Sequence, residues 1–489
     1  MRKVVAVLVM AAALIGSRAH AAATFQYLFD FNNSSSILTS VSSNGNVVVG
    51  QMPSGGTYVP CLWTQATGLV SMGRAPHLGA GGTALVSGDG SVVAASIGSP
   101  DSSYTTQGRW TQASGWQELM PPAPAGGGTL DGAYGNVFGL SGNGQTVVGL
   151  YSRPGPGNRA HASKWTKATG VVDLGGTVTG QASRANCVNY DGSVIAGWVE
   201  APTGNWRPAA WDNGSLKLLT NFDGSGLVRP YPLGDGEVRA ANFSGDIITG
   251  FSRDSLSGQR AAAMWRRTNG VWGPTQILGW VNGTQPPNSS SSGGINIASS
   301  VSADGKIVVG YCSFDGSQFG TTGLVWTPAT GVVDVNVFLA NNGVLVDPNF
   351  TIQTMVAVTP DGRQLFGYGQ KLVSPYTRRA FKITLPGTLD APPPAAVAGL
   401  QLAAPSPNPS SVRTRLEFDL PSAANAELSV FDAAGRRVAT LVQGDLPAGR
   451  HSASWDGVAA GGERVAAGLY FARLSTPQGS VSRRIVRSN

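Results

Sequence analysis

One element recurs along this chain and constrains its fold more than any other feature. It reads VSSNGNVVVG from Val41, VSGDGSVVAA from Val86, LSGNGQTVVG from Leu140 and VNYDGSVIAG from Val188. It continues as ANFSGDIITG from Ala241, VSADGKIVVG from Val301 and VTPDGRQLFG from Val358. Each copy holds a two-residue turn: Asn44-Gly45, Asp89-Gly90, Asn143-Gly144, Asp191-Gly192, Ser244-Gly245, Asp304-Gly305 and Asp361-Gly362. Asn-Gly and Asp-Gly favour type I′ hairpin turns, whose two central residues both take positive φ. The flanks are β-branched and apolar, as in strands buried on both faces. Each copy therefore predicts a tight β-hairpin.

A second element follows the first. It reads LWTQATGLVSMG around Trp63, RWTQASGWQEL around Trp110, KWTKATGVVDLG around Trp165, AAWDNGSLKLL at Trp211, AMWRRTNGVW at Trp265 and VWTPATGVVDVN at Trp326. The last copy is AFKITLPG, with Ile383 in place of Trp. The gap from the turn Asn, Asp or Ser to this position stays at 19 to 22 residues, while the whole repeat varies from 45 to 60. Strands are held constant and connections vary. Each repeat reads as a hairpin, a Trp strand, a Gly turn and a last strand, and four-stranded sheets repeated radially make a β-propeller. The rungs of an open β-solenoid are shorter and suit this spacing less well. The expected fold is all-β: a seven-bladed β-propeller over residues 22–387, followed by a small immunoglobulin-like β-sandwich. The last repeat stops after its Trp-equivalent strand. Thr24 to Phe31 (TFQYLFDF) is a spare strand, expected to complete that blade.

The repeat also explains residues that would otherwise look chemical. Asp89, Asp191, Asp304 and Asp361 recur once per repeat, and Asn or Ser replaces them in the other copies, as a turn role allows and a calcium or catalytic role does not. The Trp series has a fixed place in each repeat, which points to packing between blades rather than a sugar-stacking ladder.

The N-terminus has Arg2 and Lys3, an apolar run from Val4 to Ile15, and Ala19-His20-Ala21. This is the three-part order of a secretory signal peptide, assigned to residues 1–21. The run is too short for a membrane span, which needs about 20 apolar residues. The expected location is extracellular or cell-surface, with the periplasm as the other extracytoplasmic choice. Losing Arg2, Lys3 and Arg18 takes the formal charge from +7 to +4, too dilute for a nucleic-acid partner. Cys61, Cys187 and Cys312 are far apart and read as small buried hydrophobes. The four His are His20, His77, His161 and His451. They do not assemble a His-based triad or metal site in the sequence, and no HExxH, CxxC, phosphate loop or GxSxG appears. No cofactor or metal is expected.

Residues 388–405 are rich in Pro and Ala without periodicity and read as a semi-rigid linker. Residues 406–489 then alternate as short strands with turn signals. These are Thr414 to Leu420, Ala426 to Phe431, Arg437 to Leu441, Ser452 to Trp455, Gly468 to Leu474 and Val481 to Val486. That pattern predicts a small sandwich.

Two resemblances add to this reading. Arg159-Ala160-His161-Ala162-Ser163-Lys164-Trp165-Thr166 followed by GVVDLGG, with Arg379-Ala380-Phe381 in the last copy, resembles HAF-type extracellular repeats. The likeness covers most of residues 35–387 and implies an exported propeller-like repeat without established chemistry. It departs from the family in having His in one copy only and Phe in one only. In the tail, the order PNP, LSVFDAAGRRVATL, SWDG, GLYFARL, RRIV resembles the immunoglobulin-like domain of flagellar hook-capping (FlgD) proteins. It is equally similar to C-terminal sorting domains of type IX secretion substrates. The sorting resemblance implies recognition near Tyr470, Arg484 and Val486. The Ala-, Arg- and Gly-rich composition differs from the Lys- and Asn-rich hosts of that system.

Function is expected on connections held by a rigid scaffold. The candidate ligand-contacting aromatics are Trp116, Trp198, Trp206, Trp272, Trp280 and Tyr231, all outside the repeat. The expected function is a non-catalytic binding module whose partner is an extracellular protein or glycan, with the sandwich sorting, anchoring or spacing it and engaging secretion machinery. The alternative is a propeller enzyme, a lyase or hydrolase, using the loop acids Asp223, Asp235 and Glu237.

Overall fold

The computed structural model describes residues 23–54, 57–74, 84–99, 104–119, 134–152, 160–176, 181–202, 204–220, 236–253, 260–281, 295–313, 321–386, 400–420, 424–446, 449–477 and 479–488. Residues 1–21, expected to be a signal peptide, together with His77, Tyr231, Asp223, Asp235 and most of the expected linker, lie outside the described residues. The described chain is nearly all β.

β1 (Thr24–Asp30) is followed by repeating antiparallel units. The first is β2 (Ile37–Val41), β3 (Val47–Ser54), β4 (Thr57–Thr64) and β5 (Gly68–Ser71). The second is β6 (Leu85–Val86), β7 (Val92–Gly98), β8 (Thr105–Thr111) and β9 (Gly115–Leu119). The third is β10 (Tyr134–Leu140), β11 (Thr146–Ser152), β12 (His161–Thr166) and β13 (Gly170–Asp173). The fourth is β14 (Ser183–Val188), β15 (Val194–Glu200), β16 (Trp206–Asp212) and β17 (Ser215–Leu218). In the fifth, β18 (Gly236–Ala241), β19 (Ile247–Arg253) and β20 (Arg260–Thr268) are completed by two short strands on β20, β21 (Val271–Trp272) and β22 (Gln276–Gly279). The sixth is β23 (Ile295–Val301), β24 (Val308–Ser313), β25 (Thr321–Thr327) and β26 (Gly331–Asp334). The unit of the last repeat has β27 (Phe350–Val358), β28 (Gln364–Lys371) and β29 (Arg378–Thr384). Its fourth strand is β1, antiparallel to β29 from Thr24↔Thr384 to Asp30↔Arg379.

An apolar cluster fills each junction between successive units, and the repeated Trp contributes to nearly all of them. Val49, Val86, Val93 and Trp110 join the first two units. Trp165 sits with Ala94 and Val137, Trp211 with Val148 and Ala185, Trp265 with Cys187 and Val238, and Trp326 with Ile247 and Ala298. Ile383, in the Trp position of the last repeat, packs with Val309, Val325 and Met355. Trp63 meets Phe31 and Ala380 from the two ends of the repeat region. Trp211 and Trp265 are fully buried, and such burial stabilises by about 1.5–3 kcal/mol per large side chain. The three cysteines belong to the same clusters and are unpaired thiols. Burial pushes each up to about 12.

The turns differ from expectation. Positive φ occurs at the glycine alone, 73° at Gly45 and 81° at Gly90, and not at the preceding Asn or Asp. The backbone bond runs from Gly45 N to Ser42 O and from Gly90 N to Ser87 O. This is an i→i+3 turn ending in a left-handed glycine, not type I′. The cause lies in the residue two before the Asn or Asp. Ser87 Oγ donates to Asp89 Oδ1 at 2.6 Å and accepts from Val92 N at 3.0 Å, while Ser91 N donates to the same Asp89 oxygen. Ser42–Asn44, Ser141–Asn143, Ser302–Asp304 and Thr359–Asp361 repeat the arrangement. Side chains thereby satisfy a loop two residues longer than the expected turn.

One helix, α1 (Val335–Asn341), was not foreseen. Asp334 caps it by accepting from Asn336 N, and Val335, Phe338 and Leu339 form its buried face.

The C-terminal domain has two sheets. The first is β30 (Gln401–Leu402), β31 (Thr414–Leu420) and β34 (Gly449–Trp455). The second is β32 (Ala424–Asp432), β33 (Arg437–Leu446), β35 (Gly468–Thr476) and β36 (Gly479–Arg487), ordered β33-β32-β35-β36. β30 falls within the expected linker: Leu402 pairs with Phe418 and is buried. Leu416, Phe418, Leu428, Val430, Trp455 and Leu474 alternate inward to form the core. Tyr190 and Phe243, from turns of the fourth and fifth units, pack against this core. Phe243 meets the His451 ring edge-on at 5.3 Å, and His451 stacks on Phe418 at 5.2 Å. The sandwich is thus seated on the turn end of those units.

Candidate ligand site around the axis

The inner strands of all the units converge on one cavity of about 240 Å³. Thr39, Phe138, Asn186, Arg239, Ser299 and Val356 line it, each from a different inner strand. Its turn-end wall includes Tyr190 and Phe243, the residues that touch the sandwich.

Charge concentrates toward the opposite ends of the fourth and fifth inner strands. Glu237, on β18, is completely buried. Arg184 Nη2 lies 3.0 Å from Glu237 Oε2, and Arg239 Nε pairs with Glu237 Oε1. Arg184 also donates from Nε to Asn186 Oδ1 at 2.6 Å, and Asn186 Nδ2 donates to Val238 O at 2.7 Å. Its guanidinium sits 4.5 Å from the centre of the Phe138 ring and 5.5 Å from that of Trp198. Burial lowers the Arg184 pKa, with Glu237 opposing; at Arg239 burial is again the largest single effect and lowers it, but the Glu237 charge, Tyr311 and the hydrogen bond to Glu237 together outweigh burial and the pKa is raised. The arrangement holds two arginines beside one carboxylate at a fixed geometry, the pattern that recognises planar anions.

The candidate aromatics separate into two groups. Trp198 and Trp206 come together: they stack with ring centres 4.5 Å apart and planes 12° apart, Trp198 buried and Trp206 half-buried. The others depart from the loop reading. Trp116 lies on β9, packs into the junction of the first two units and donates from Nε1 to Met72 O at 2.9 Å. Trp272 lies on β21, packs beside the Trp265 cluster and has Arg267 5.5 Å from its ring. Trp280 directly follows β22 and is half-buried. For Trp116 and Trp272 the apparent loop position is the short outer strand of a unit, and the indole packs into the junction with the neighbouring sheet.

Glu237 is likewise no loop acid: it lies within a strand, its carboxylate held by two guanidinium groups. Arg184 and Arg239, which hold it, carried no sequence signal, because each lies just before a repeat motif.

In the sandwich, Tyr470 is buried, meets Trp455 at 5.0 Å and donates to Ala466 O. Val486 N donates to Asn408 Oδ1, and Asn408 Nδ2 donates to Arg484 O. Tyr470 and the Val486 backbone therefore hold the domain together, and Arg484 is the one of the three whose side chain is exposed.

Residues 408–480 match the FlgD Ig-like domain family. No curated protein matches the chain. Among solved structures the chain is similar to β-propeller proteins at low identity. With TolB from Acinetobacter baumannii it shares 14% identity over 63% of this chain and 64% of that one, at a TM-score of 0.35; it thus spans less than two thirds of that relative. An oligogalacturonate lyase from Vibrio parahaemolyticus gives 11% identity over 75% and 98%, at 0.43. The propeller domain of the Trilobed protease from Pyrococcus furiosus gives 8% over 71% and 95%, at 0.40.

Proposed function

We propose that this protein is an exported, non-catalytic binding module. Its repeats form a seven-bladed ring, closed by β1 in the last blade, and the sandwich sorts, anchors or spaces that ring at the cell surface or outside the cell. Support for the ring comes from the cyclic order of the junctions: the inner strand β2 touches both β6 and β27, and Phe31 and Trp63 fill the contact between first and last units. The observation that carries the binding reading is the set formed by Arg184, Glu237, Arg239 and the Trp198–Trp206 stack. It joins charge and flat apolar surface on a rigid scaffold, as ligand sites do.

The test is a screen of the secreted full chain against polysaccharides and peptides, with product analysis. Retention without turnover supports the module. Turnover abolished by Asp223→Asn or Asp235→Asn overturns the non-catalytic part. Fractionating cells that produce the full chain, or a chain lacking residues 406–489, tests the tail. Unchanged export, location and processing would remove the sorting role.

A further inference from the structure

We propose that the second sheet of the sandwich, at its outer face and its β36 edge, takes up an extended acidic segment of another protein as an added strand. This goes beyond the binding module proposed above, because it gives the sandwich a partner of its own. It stands apart from the sorting role, which the fractionation above tests.

The first observation is an exposed apolar row bracketed by arginines. Register sets Arg437 opposite Phe431, Phe431 opposite Phe471 and Phe471 opposite Arg484, so one row crosses β33, β32, β35 and β36. Residues directly opposite share a face of the sheet, and the Arg437 guanidinium lies 6.0 Å from the centre of the Phe431 ring. The neighbours along the strands, Val430, Tyr470, Ala472 and Ile485, belong to the core, so the row points outward. Leu469 lies opposite Val486 on the same face. Leu469 is 39% exposed and Phe471 37%. A solvated sheet face is ordinarily polar. Exposed apolar side chains bordered by arginine have the make-up of an interface.

The second observation is the sign of the charge. The acids on this side are engaged: Glu427 by Arg437 and Ser429, and Asp432 by Arg436. Arg473, on the same face as Phe471, bonds to Ser480, and Arg483 and Arg484 are exposed on β36. Among the described residues no carboxylate pairs with any of these three. The surplus is cationic, and its complement is an acidic partner.

The third observation selects a strand. β36 ends the order of its sheet. Val486 N donates to Asn408 Oδ1, Val486 O accepts from Ser410 N, and Arg484 O accepts from Asn408 Nδ2. Backbone groups of an edge strand alternate between the paired side and the open side. Those of Ser482 and Ser480 therefore face the same way as those of Val486 and Arg484. Asn408 and Ser410 cover the edge as far as the Arg484 carbonyl, and beyond it the row of donors and acceptors is a template for one more strand. A second copy of β36 would bring its own Arg483 and Arg484 to the joint, and like charges across a strand pair oppose pairing. A polysaccharide or lipid headgroup supplies negative charge but no backbone ladder. An acidic peptide segment supplies both, and its apolar residues cover Leu469 and Phe471.

The experiment uses the full chain and a labelled peptide alternating glutamate with valine and phenylalanine, with a lysine-for-glutamate version as control. Fluorescence anisotropy should show saturable binding of the acidic peptide and none of the basic one. Ser482→Pro removes an outward amide without touching the ladder to β35. It should weaken binding roughly threefold or more, as for one lost backbone hydrogen bond. Arg473→Ser combined with Arg484→Ser should weaken it about tenfold, and Phe471→Ser should weaken it too. On the unaltered protein, added salt should do the same, a readout independent of any variant. Melting without peptide confirms that each variant is folded. Absence of acidic-peptide binding overturns the assignment, as does equal binding of the lysine version. So does an affinity that Ser482→Pro and the arginine changes leave unaltered. Tighter binding of tetragalacturonate or of phosphatidylglycerol vesicles overturns the choice of a protein partner. A dimer in light scattering that Ser482→Pro dissolves assigns the edge to a second copy and overturns it as well.

Discussion

Gly45 has a φ of 73°, and a Cβ there would lie 2.5 Å from Gln364 Oε1 and 2.9 Å from Phe366 Cζ. Gly90 stands in the same relation to Val47 of the preceding unit. The turn glycine thus serves two ends, a left-handed backbone and a close approach between units. Gly45→Ala should destabilise the protein by about 1 kcal/mol or more, read as a lower urea midpoint. The glycine itself was legible in the sequence. The turn type was not, because Ser42, Ser87 and their equivalents redirect the loop through side-chain bonds that the Asn-Gly and Asp-Gly dipeptides do not encode. Asp30 carries a pH dependence. Burial would raise its pKa, but the bonds from Asn32 N, Arg379 and Thr377 outweigh burial and hold it below the usual 3.8. Its contribution is therefore present above the ordinary carboxylate range and is lost as the pH falls through and below it. Asp30→Asn should be less stable than the unaltered protein at pH 7, and the gap should narrow toward pH 3 in paired denaturation curves. The cysteines give a simpler expectation. Thiols pushed up to about 12 by burial are neutral near pH 8, so Cys61, Cys187 and Cys312 should react with a thiol reagent only after denaturation.

At the scale of elements, β1 ties the start of the chain to its last repeat. Phe25 stacks on Phe381 at 4.9 Å, Phe29 stacks on Trp63 at 5.5 Å, and Phe31 is buried. The strand therefore binds both the last unit and the first. Removing residues 22–32 should lower the melting temperature sharply. Phe31→Ala alone should cost about 3–5 kcal/mol, measured by equilibrium urea unfolding. Strand order within each unit was readable, because a hairpin followed by a Trp strand at near-constant spacing leaves few ways to pair. The short outer strands were harder to read. β9 and β21 hold only a few residues, so Trp116 and Trp272 looked like loop residues when they cover neighbouring sheets. α1 escaped notice for a related reason: one apolar face of Val335, Phe338 and Leu339 resembles a strand end when read in short windows.

At the scale of the whole molecule, the tail is seated on the turns of the fourth and fifth units rather than hanging from the repeats. Phe243→Asp would place a charge against His451 and the Phe418 ring. It should release the sandwich without unfolding either part, seen as a larger radius of gyration in solution scattering with unchanged far-ultraviolet dichroism. The two domains were separable in the sequence because composition and periodicity change together after Leu385. Their contact was not, since Tyr190 and Phe243 look like ordinary turn residues. The candidate site was only half visible for a similar reason: Trp198 and Trp206 stood out as aromatics, whereas the arginines lie in strands far apart in sequence. The pairing of Thr24 with Thr384 also carries a meaning in time. β1 finds its partner only after a further 384 − 24 = 360 residues have followed, a long-range contact of the kind that slows folding. Until then Phe25, Phe29 and Phe31 form an unpaired apolar edge, the type of segment on which aggregation begins. A chain that stops short of β29 can never hide that edge, so the β1–β29 pairing distinguishes chains that have reached β29 from those that have not.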